Sequence, residues 1–283
     1  MTSVWDGYAL PGGRRLERDP QFGFLRVMPP PSAEETAAFY ASAYTNPCLV
    51  HDPDGRAELV VDLVTGSGRV LDVGCGRGEM LDAFRRRGWQ TVGIEPGREY
   101  ADQARARGLE VRETVLTDEI AASLGSFDAV LLVHVLEHLP DPLATVQTAR
   151  RLLRPGGILY CEVPNDFNRL QTAAAATQHL RPWWIAIPDH LNYFSIESLS
   201  RFIAAQGFEL ARVTTDFPVE LFLLWGDVYI DNPEAGRAMH QRRCRFEQAM
   251  REAGAGDLLE AIYERLAGLG VGREAIVCGR KTT

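Results

Sequence analysis

Lysine is almost absent from this sequence: Lys281 is the only lysine among 283 residues. The chain therefore offers almost no amine that could form a Schiff base or accept a proton. Arginine cannot take over that role, because its guanidinium group stays protonated at any working pH. A catalytic base must come from the 6 histidines or from Asp, Glu, Tyr or Cys side chains.

Closely spaced cysteine pairs are missing as well. The 5 cysteines are scattered, and no two have the C-x-x-C spacing of a zinc ribbon or a thioredoxin-like site. An odd, scattered set is typical of reduced thiols rather than of a disulfide framework. Residues 1–6 lack the pattern of a signal peptide, and no apolar run approaches the length of a membrane span. We expect a cytoplasmic protein that does not contact a membrane.

Basic residues are outnumbered by acidic ones. Lys+Arg total 30 and Asp+Glu total 38, which gives a net charge of −8. A surface of this sign repels phosphate backbones, so no nucleic-acid partner is expected. The hydrophobic fraction of 46% and the charged fraction of 24% are ordinary for a soluble globular chain and argue against disorder.

The middle of the chain alternates short apolar runs with helical patterns. Strands are predicted at residues 70–73, 91–94, 111–113, 127–133 and 157–163, and helices at 79–88, 98–108 and 143–153. Strands and helices that alternate at this spacing form βαβ units and a parallel sheet covered on both faces. The predicted fold class is therefore α/β, with a doubly wound, mostly parallel sheet.

The segments around this region divide the chain. Residues 1–66 are predicted to form an N-terminal helical cap, in which Ser32 and Glu35 make a capping box. Residues 67–216 form the core, with a lid insert at 165–188 that contains two adjacent tryptophans. Residues 217–272 are a helical insert, and 273–283 are the last core strand. The apolar run at 219–225 is expected to cover the pocket or to pair two copies as a homodimer.

The strongest motif is a glycine-rich turn that follows the first core strand. Gly74, Gly76 and Gly78 stand at alternating positions, which lets the backbone approach a ligand at the carboxyl edge of the sheet. Glu79 occupies the position where the dinucleotide-binding pattern needs glycine, which disfavours a nicotinamide or flavin cofactor. Glu95 ends the next strand, where a carboxylate can accept both hydroxyls of a ribose.

At these residues the chain resembles class I S-adenosylmethionine (SAM)-dependent methyltransferases, in their small-molecule branch (ubiquinone or sugar methyltransferase-like). The resemblance implies SAM as the cofactor and a Rossmann-like sheet of seven strands. The matching motifs are Asp72-x-Gly74-x-Gly76-x-Gly78, Glu95, Phe127-Asp128-Ala129-Val130, the turn at 136–142, and Leu153-Arg154-Pro155-Gly156-Gly157.

The resemblance also implies roles for single residues. Gly74 and Gly76 would face the methionine part of SAM, Glu95 the ribose, and His134 the carboxyl end of the fourth strand. Many relatives bind the adenine amine with an acidic residue after the third strand. This chain has Thr114-Val115-Leu116 at that place, so backbone groups and packing would hold the adenine. Asp72 either contacts SAM or fixes the glycine turn. The predicted cofactor site is Asp72, Gly74, Cys75, Gly76, Gly78, Glu95, Pro96, Val115, Leu116 and His134.

A second motif, H-x-x-E-H at residues 134–138, matches an inverted zinc-protease pattern. That chemistry requires a long helix and a further ligand, whereas this segment follows a strand and precedes a proline turn at Pro140. No metal site is therefore predicted, and a divalent ion that helps to bind the substrate is the weaker alternative. Glu137 and His138 either order the turn or line the pocket.

A third motif places Asp189 and His190 before a capped helix. It resembles a segment of small-molecule methyltransferases, including sugar C-methyltransferases, in which the histidine is a general base. Ile187 and Pro188 stand where some of those enzymes have a tyrosine, which disfavours sugar C-methylation. The predicted base is His190, whose pKa a carboxylate such as Asp189 would raise, with His138 as the second candidate. The alternative is that His190 only packs its loop.

These motifs together predict a SAM-dependent methyltransferase. It would transfer a methyl group to an O, N or C atom of a small molecule, in natural-product or sugar metabolism. Two other hypotheses remain. One is a SAM-binding protein without catalysis, in a regulatory role, and the other is an NAD-dependent oxidoreductase on a similar sheet.

Overall fold

The computed structural model describes residues 5–32, 34, 35, 38, 52–64 and 66–282. Most of the helix predicted to follow Ser32 lies outside these residues, but its start is described. The Glu35 amide donates to Ser32 Oγ at 3.1 Å, and the Ser32 amide donates to Glu35 Oε2 at 2.8 Å. These two bonds confirm the predicted capping box.

The N-terminal segment forms strands, so the predicted helical cap is wrong for residues 9–28. Strands β1 (Ala9–Leu10), β2 (Arg14–Arg18) and β3 (Leu25–Met28) form an antiparallel sheet, which β9 (Asn192–Tyr193) completes. The short strands alternate buried and exposed positions, and their buried residues pack on Tyr193. The prediction missed them because glycines and prolines interrupt each run before the period of two becomes visible.

The central sheet has seven strands in the order β10-β11-β8-β7-β4-β5-β6, and all neighbours are parallel except those of β11. This arrangement confirms the predicted fold class. The strands are β4 (Arg69–Val73), β5 (Gln90–Ile94), β6 (Val111–Arg112), β7 (Phe127–Val133), β8 (Leu153–Pro164), β10 (Phe208–Thr214) and β11 (Glu274–Lys281).

Helices cover both faces of this sheet. Ala129 and Leu131 of β7 belong to one apolar cluster, and Val130 and Leu132 belong to the cluster on the opposite face. A continuously apolar strand is therefore buried on both sides, as a parallel sheet requires. The helices are α1 (Pro53–Val61), α2 (Glu79–Arg86), α3 (Arg98–Ala106), α4 (Asp118–Ala122), α5 (Pro142–Leu152), α6 (Arg169–Thr177) and α7 (Ile196–Ala205).

The insert before β11 is helical, as predicted. It contains α8 (Glu220–Leu224), α9 (Pro233–Glu252) and α10 (Gly256–Gly268). Phe222 and Leu223 of the apolar run are buried, whereas the Trp225 side chain is exposed. Whether the run covers a pocket or pairs two copies of the chain stays a prediction. Among the described helices, none is both long and apolar enough to cross a membrane.

A buried ion network joins distant parts of the chain. Arg56 of α1 holds Glu162 of β8 with two parallel bonds, Nη2 to Oε1 at 2.7 Å and Nε to Oε2 at 2.8 Å. Asp216, after β10, accepts from Arg243 of α9 at 3.0 Å and from Arg56 at 3.5 Å. Burial opposes ionisation of Glu162, but Arg56 holds its pKa below the ordinary value. The network therefore fixes α1 and α9 against the sheet.

Replacing Arg56 by alanine should lower the free energy of unfolding by about 3–5 kcal/mol, because the buried Glu162 carboxylate would lose its counter-ion. Urea denaturation measures this loss. Arg86→Ala is the matched control, since Arg86 pairs with Asp54 at the surface and should cost less than about 1 kcal/mol. Equal losses of stability in the two variants would contradict the role of Arg56 as the counter-ion of the buried Glu162.

Candidate active site

A cavity of about 630 Å³ lies at the carboxyl ends of β4, β5, β6 and β7. Open α/β sheets bind their ligands at this edge, because the loops after the strands meet there. The lining residues are Val73, Gly74, Ile94, Glu95, Pro96, Gly97, Arg98, Glu99, Tyr100, Thr114, Val115, Leu116, His134, Val135, His138, Leu139 and Thr145.

The glycine turn after β4 needs its three glycines for different reasons. All three have positive φ, which L side chains rarely adopt. A Cβ on Gly74 would lie 2.8 Å from a Val135 methyl, and one on Gly78 would lie 2.3 Å from a Leu109 methyl. A Cβ on Gly76 would meet nothing within 4 Å. Packing therefore excludes side chains at Gly74 and Gly78, while Gly76 leaves its backbone open to a ligand.

Glu95 connects this turn to the cavity. Its two carboxylate oxygens accept hydrogen bonds from the Gly76 amide at 2.9 Å and the Gly97 amide at 2.7 Å. Burial raises the pKa of Glu95, and the two backbone donors oppose that rise. The carboxylate both fixes the turn and forms part of the cavity wall.

Six residues of the predicted cofactor site line the cavity: Gly74, Glu95, Pro96, Val115, Leu116 and His134. The other four, Asp72, Cys75, Gly76 and Gly78, are not part of the lining, and their contact with SAM stays a prediction. Asp72 is buried, and burial together with Glu95 and Glu79 raises its pKa. Burial also raises the pKa of the Cys75 thiol. Both side chains are therefore buried in their uncharged forms, and whether Asp72 contacts SAM or fixes the turn stays a prediction.

Ten lining residues were not among the predicted site residues: Val73, Ile94, Gly97, Arg98, Glu99, Tyr100, Thr114, Val135, Leu139 and Thr145. Val73, Ile94 and Thr114 lie at or just after strand ends, residues 97–100 lead into α3, and the other three flank the turn after β7. Polar residues at the start of a helix are common without any ligand, so no local signal distinguished them.

The H-x-x-E-H motif forms a strand end and a 3₁₀ turn instead of a helix. His134 follows β7 with a φ of 52°, and its amide donates to the Glu162 carbonyl at 2.8 Å. Its Nδ1 lies 3.2 Å from Glu137 Oε1. The 3₁₀ turn Leu136–His138 follows. This geometry differs from the long helix that a protease motif requires.

His138 is paired with Asp189, and this differs from the expected Asp189–His190 pair. His138 Nδ1 lies 2.9 Å from the Asp189 carbonyl oxygen and 3.1 Å from Asp189 Oδ1. His190 lies beside this pair, with its ring 5.0 Å from the His138 ring. Asp189 therefore orients His138, and His138 lines the cavity.

The charges of this cluster follow from burial and from its neighbours. Burial opposes a charge on His138, but Glu137 and Asp189 raise its pKa to about 9. Burial likewise opposes ionisation of Glu137, but His138 and His134 lower its pKa to about 2. Burial and the His138 charge lower the pKa of His190 to about 4, so the expected rise is wrong. At neutral pH His138 is a cation that cannot accept a proton, and His190 is neutral.

Glu137, His138 and His190 also form a group that could hold a metal ion. One ligand atom from each lies within 4.8 Å of the others. His190 supplies a third ligand that the sequence analysis did not consider. The prediction of no metal site therefore requires an experimental test.

Residues 51–213, more than half of the chain, match the model of a family described as a methyltransferase domain. The chain belongs to this family. The resemblance drawn from the sequence motifs is thereby confirmed at the level of the family.

Curated relatives share part of this domain. A ubiquinone biosynthesis O-methyltransferase of Xanthomonas oryzae pv. oryzae is 42% identical over 103 residues, which are 34% of this chain and 43% of the relative. One of Vibrio parahaemolyticus is 32% identical over 103 residues, 34% of this chain and 44% of the relative. The chain thus spans less than half the length of these curated relatives.

Solved structures share the fold of this methyltransferase-domain protein. A SAM-dependent methyltransferase from Archaeoglobus fulgidus has a TM-score of 0.52 at 17% identity, over 81% of this chain and 92% of that one. The [4+2]-cyclase SpnF has a TM-score of 0.51 at 23% identity, over 90% and 98%. The fold hosts more than one reaction, so the function has to be argued from the site.

Proposed function

We propose that this protein transfers a methyl group from SAM to a small molecule. The observation that carries the proposal is the position of Glu95, a buried carboxylate in the wall of the cavity beside the open face of Gly76. Glu79, in place of a further glycine, disfavours a dinucleotide.

The residues of the cavity fit SAM. Glu95 offers carboxylate oxygens to ribose hydroxyls, and Val115 and Leu116 offer an apolar surface to adenine. Gly76 brings an uncovered backbone near the methionine end. When bound, SAM supplies a methyl group already activated by its sulfonium. The tasks left to the protein are to align the acceptor and to take up its proton.

The histidine cluster suits the second task. His190 is neutral at neutral pH, and its Nδ1 has no hydrogen-bond partner among the described residues. We assign proton uptake to His190, which is not itself part of the cavity lining but lies beside the lining residue His138. His138, oriented by Asp189, is a cation that stabilises negative charge developing on an attacking oxygen. His138 thus moves from second candidate base to an electrostatic role.

We assign the acceptor atom to oxygen first, because the curated relatives are named O-methyltransferases. Nitrogen and carbon acceptors are the alternatives. We also propose that the substrate belongs to natural-product or sugar metabolism. Formation of S-adenosylhomocysteine that depends on an added acceptor tests the proposal. Tight SAM binding without any turnover would favour the non-catalytic hypothesis, and binding of NADH in preference to SAM would favour the oxidoreductase.

Methyl transfer is expected to proceed without a metal ion. Glu137 Oε1 lies 3.2 Å from His134 Nδ1 and 3.8 Å from His138 Nε2, and His138 Nδ1 is engaged with Asp189, so Glu137 and His138 each have a partner within the protein. Turnover should be unchanged after treatment with EDTA and dialysis. Loss of turnover that a divalent ion restores would instead assign the Glu137–His138–His190 group as a metal site.

A further inference from the structure

A second group of polar side chains lies near the carboxyl edge of the central sheet but outside the cavity lining. Asp166 follows β8, Gln171 lies on α6, Glu220 starts α8, and Arg273 and Glu274 lie at the start of β11. We call these five residues the acidic cluster. Gln171 and Glu220 are fully buried, Asp166 and Glu274 nearly so, and the Arg273 side chain is 33% exposed.

Several polar atoms of the acidic cluster lack hydrogen-bond partners. Among the described residues, none bonds to either carboxylate oxygen of Glu220, to either end of the Gln171 amide, to Asp166 Oδ2 or to Glu274 Oε2. Five of these six atoms are oxygens. Buried polar groups are nearly always satisfied in proteins, and those that are not need a ligand, a water or a functional reason.

The cluster has one basic member, which does not satisfy it. Arg273 Nε lies 3.6 Å from Glu274 Oε1, so its nearest carboxylate is its own neighbour. Arg273 lowers the pKa of Asp166 and of Glu220, and the Gln171 amide, which lies near both, lowers each further. Burial nevertheless raises the pKa of Asp166 to about 8 and that of Glu220 above its ordinary value. Burial of these carboxyl groups therefore outweighs the donors and the positive charge around them.

A chain of contacts connects the acidic cluster to the cavity. The Asp166 amide donates to the Phe194 carbonyl at 2.8 Å, which places Asp166 beside Tyr193. The Tyr193 ring lies 6.1 Å from the His190 ring, and His190 is 5.0 Å from His138 in the cavity wall. The acidic cluster therefore lies close to the histidines of the cavity wall.

We infer that Asp166, Gln171 and Glu220 bind hydrogen-bond donors, the hydroxyl or amino groups at the far end of the methyl acceptor. This inference rests on the proposed function, since it places the acceptor of that reaction. Five of the six unsatisfied atoms are oxygens, so the cluster offers acceptors and few donors, and a carboxylate or phosphate group would find few hydrogen bonds there. Arg273 is the member of the cluster whose side chain is partly exposed to solvent.

The inference can be tested before the acceptor is known. Benzylamine, benzyl alcohol and benzoate share one ring and differ in ending with an ammonium, a hydroxyl or a carboxylate. Saturation-transfer NMR measures their binding to protein saturated with S-adenosylhomocysteine. The amine and the alcohol should bind and benzoate should not, and Glu220→Leu should weaken the amine by about 10- to 100-fold.

Further measurements separate the possible outcomes. Benzylamine affinity should rise as pH increases through the pKa of Asp166, whereas benzyl alcohol affinity should not. The Glu220→Leu variant should unfold at no lower urea concentration than the unsubstituted protein, because the substitution removes an unsatisfied buried carboxyl group. If the leucine variant does not fold, Glu220→Gln replaces it in the binding measurements. Glu209→Leu, at an exposed site on β10, is the control and should change no fragment affinity.

Three results would overturn the inference. The first is that benzoate binds with the same affinity as benzylamine and benzyl alcohol. The second is that benzylamine still binds to both Glu220→Leu and Glu220→Gln. The third is that neither benzylamine nor benzyl alcohol binds to the protein. Failure of the proposed function is distinguishable, because it would appear as loss of S-adenosylhomocysteine binding at Glu95. In that case the fragments are measured on the free protein.

Discussion

Replacement of His190 by alanine is expected to lower kcat by about 10²–10⁴-fold, the usual contribution of a positioned base, while SAM affinity stays unchanged. The reason is that His190 is neutral at neutral pH and stands beside the cavity residue His138. Single-turnover rates and calorimetry on the same variant separate the two quantities. His179→Ala, at an exposed histidine, is the matched control.

The pH profile gives this prediction a second measurement. Because the pKa of His190 is lowered to about 4, its base form is present above that pH, and the rate should fall only as pH drops through it. In His138→Gln the cation that helps to lower this pKa is gone. The pH below which the rate falls should therefore increase. It should stay below the ordinary pKa of histidine, because His190 is still buried in this variant. Near-normal turnover of His190→Ala would instead show that His190 packs its loop.

Replacement of Glu95 by alanine is expected to weaken SAM binding by about 2–4 kcal/mol, or roughly 30- to 700-fold in Kd. Two effects contribute. The variant loses the oxygens that accept the ribose hydroxyls, and the Gly76 and Gly97 amides lose the carboxylate that holds the turn. Isothermal calorimetry with SAM measures the change.

Glu99→Gln separates these effects from a general loss of negative charge. Glu99 also lines the cavity, but it is exposed and contacts Gln103 on its own helix. Its substitution should leave the Kd for SAM nearly unchanged. Unaltered affinity in Glu95→Ala would remove Glu95 from the cofactor site and with it the main support for the proposed function.

The central sheet and the position of the cofactor cavity follow from local patterns in the sequence. The strand over 127–133 was predicted with the bounds that the structure gives, because a continuously apolar run is a local property of a strand buried on both faces. The glycine turn and Glu95 were predictable for a similar reason. Positive φ and close packing restrict Gly74 and Gly78 locally, and the carboxyl ends of parallel strands must meet at one edge.

Folding, and no local pattern, brings the polar groups of the site together and sets their charges. Strand β3 pairs with β9 from a distant part of the chain, and Asp189 pairs with His138 rather than with its sequence neighbour His190. The pKa of His190 falls because its ring is buried beside a cation, and burial of this kind leaves no local pattern. The acidic cluster assembles from three distant segments, and its one sequence signal was Glu220 inside an apolar run. Contacts between distant segments and the desolvation that they impose arise only when the chain is folded.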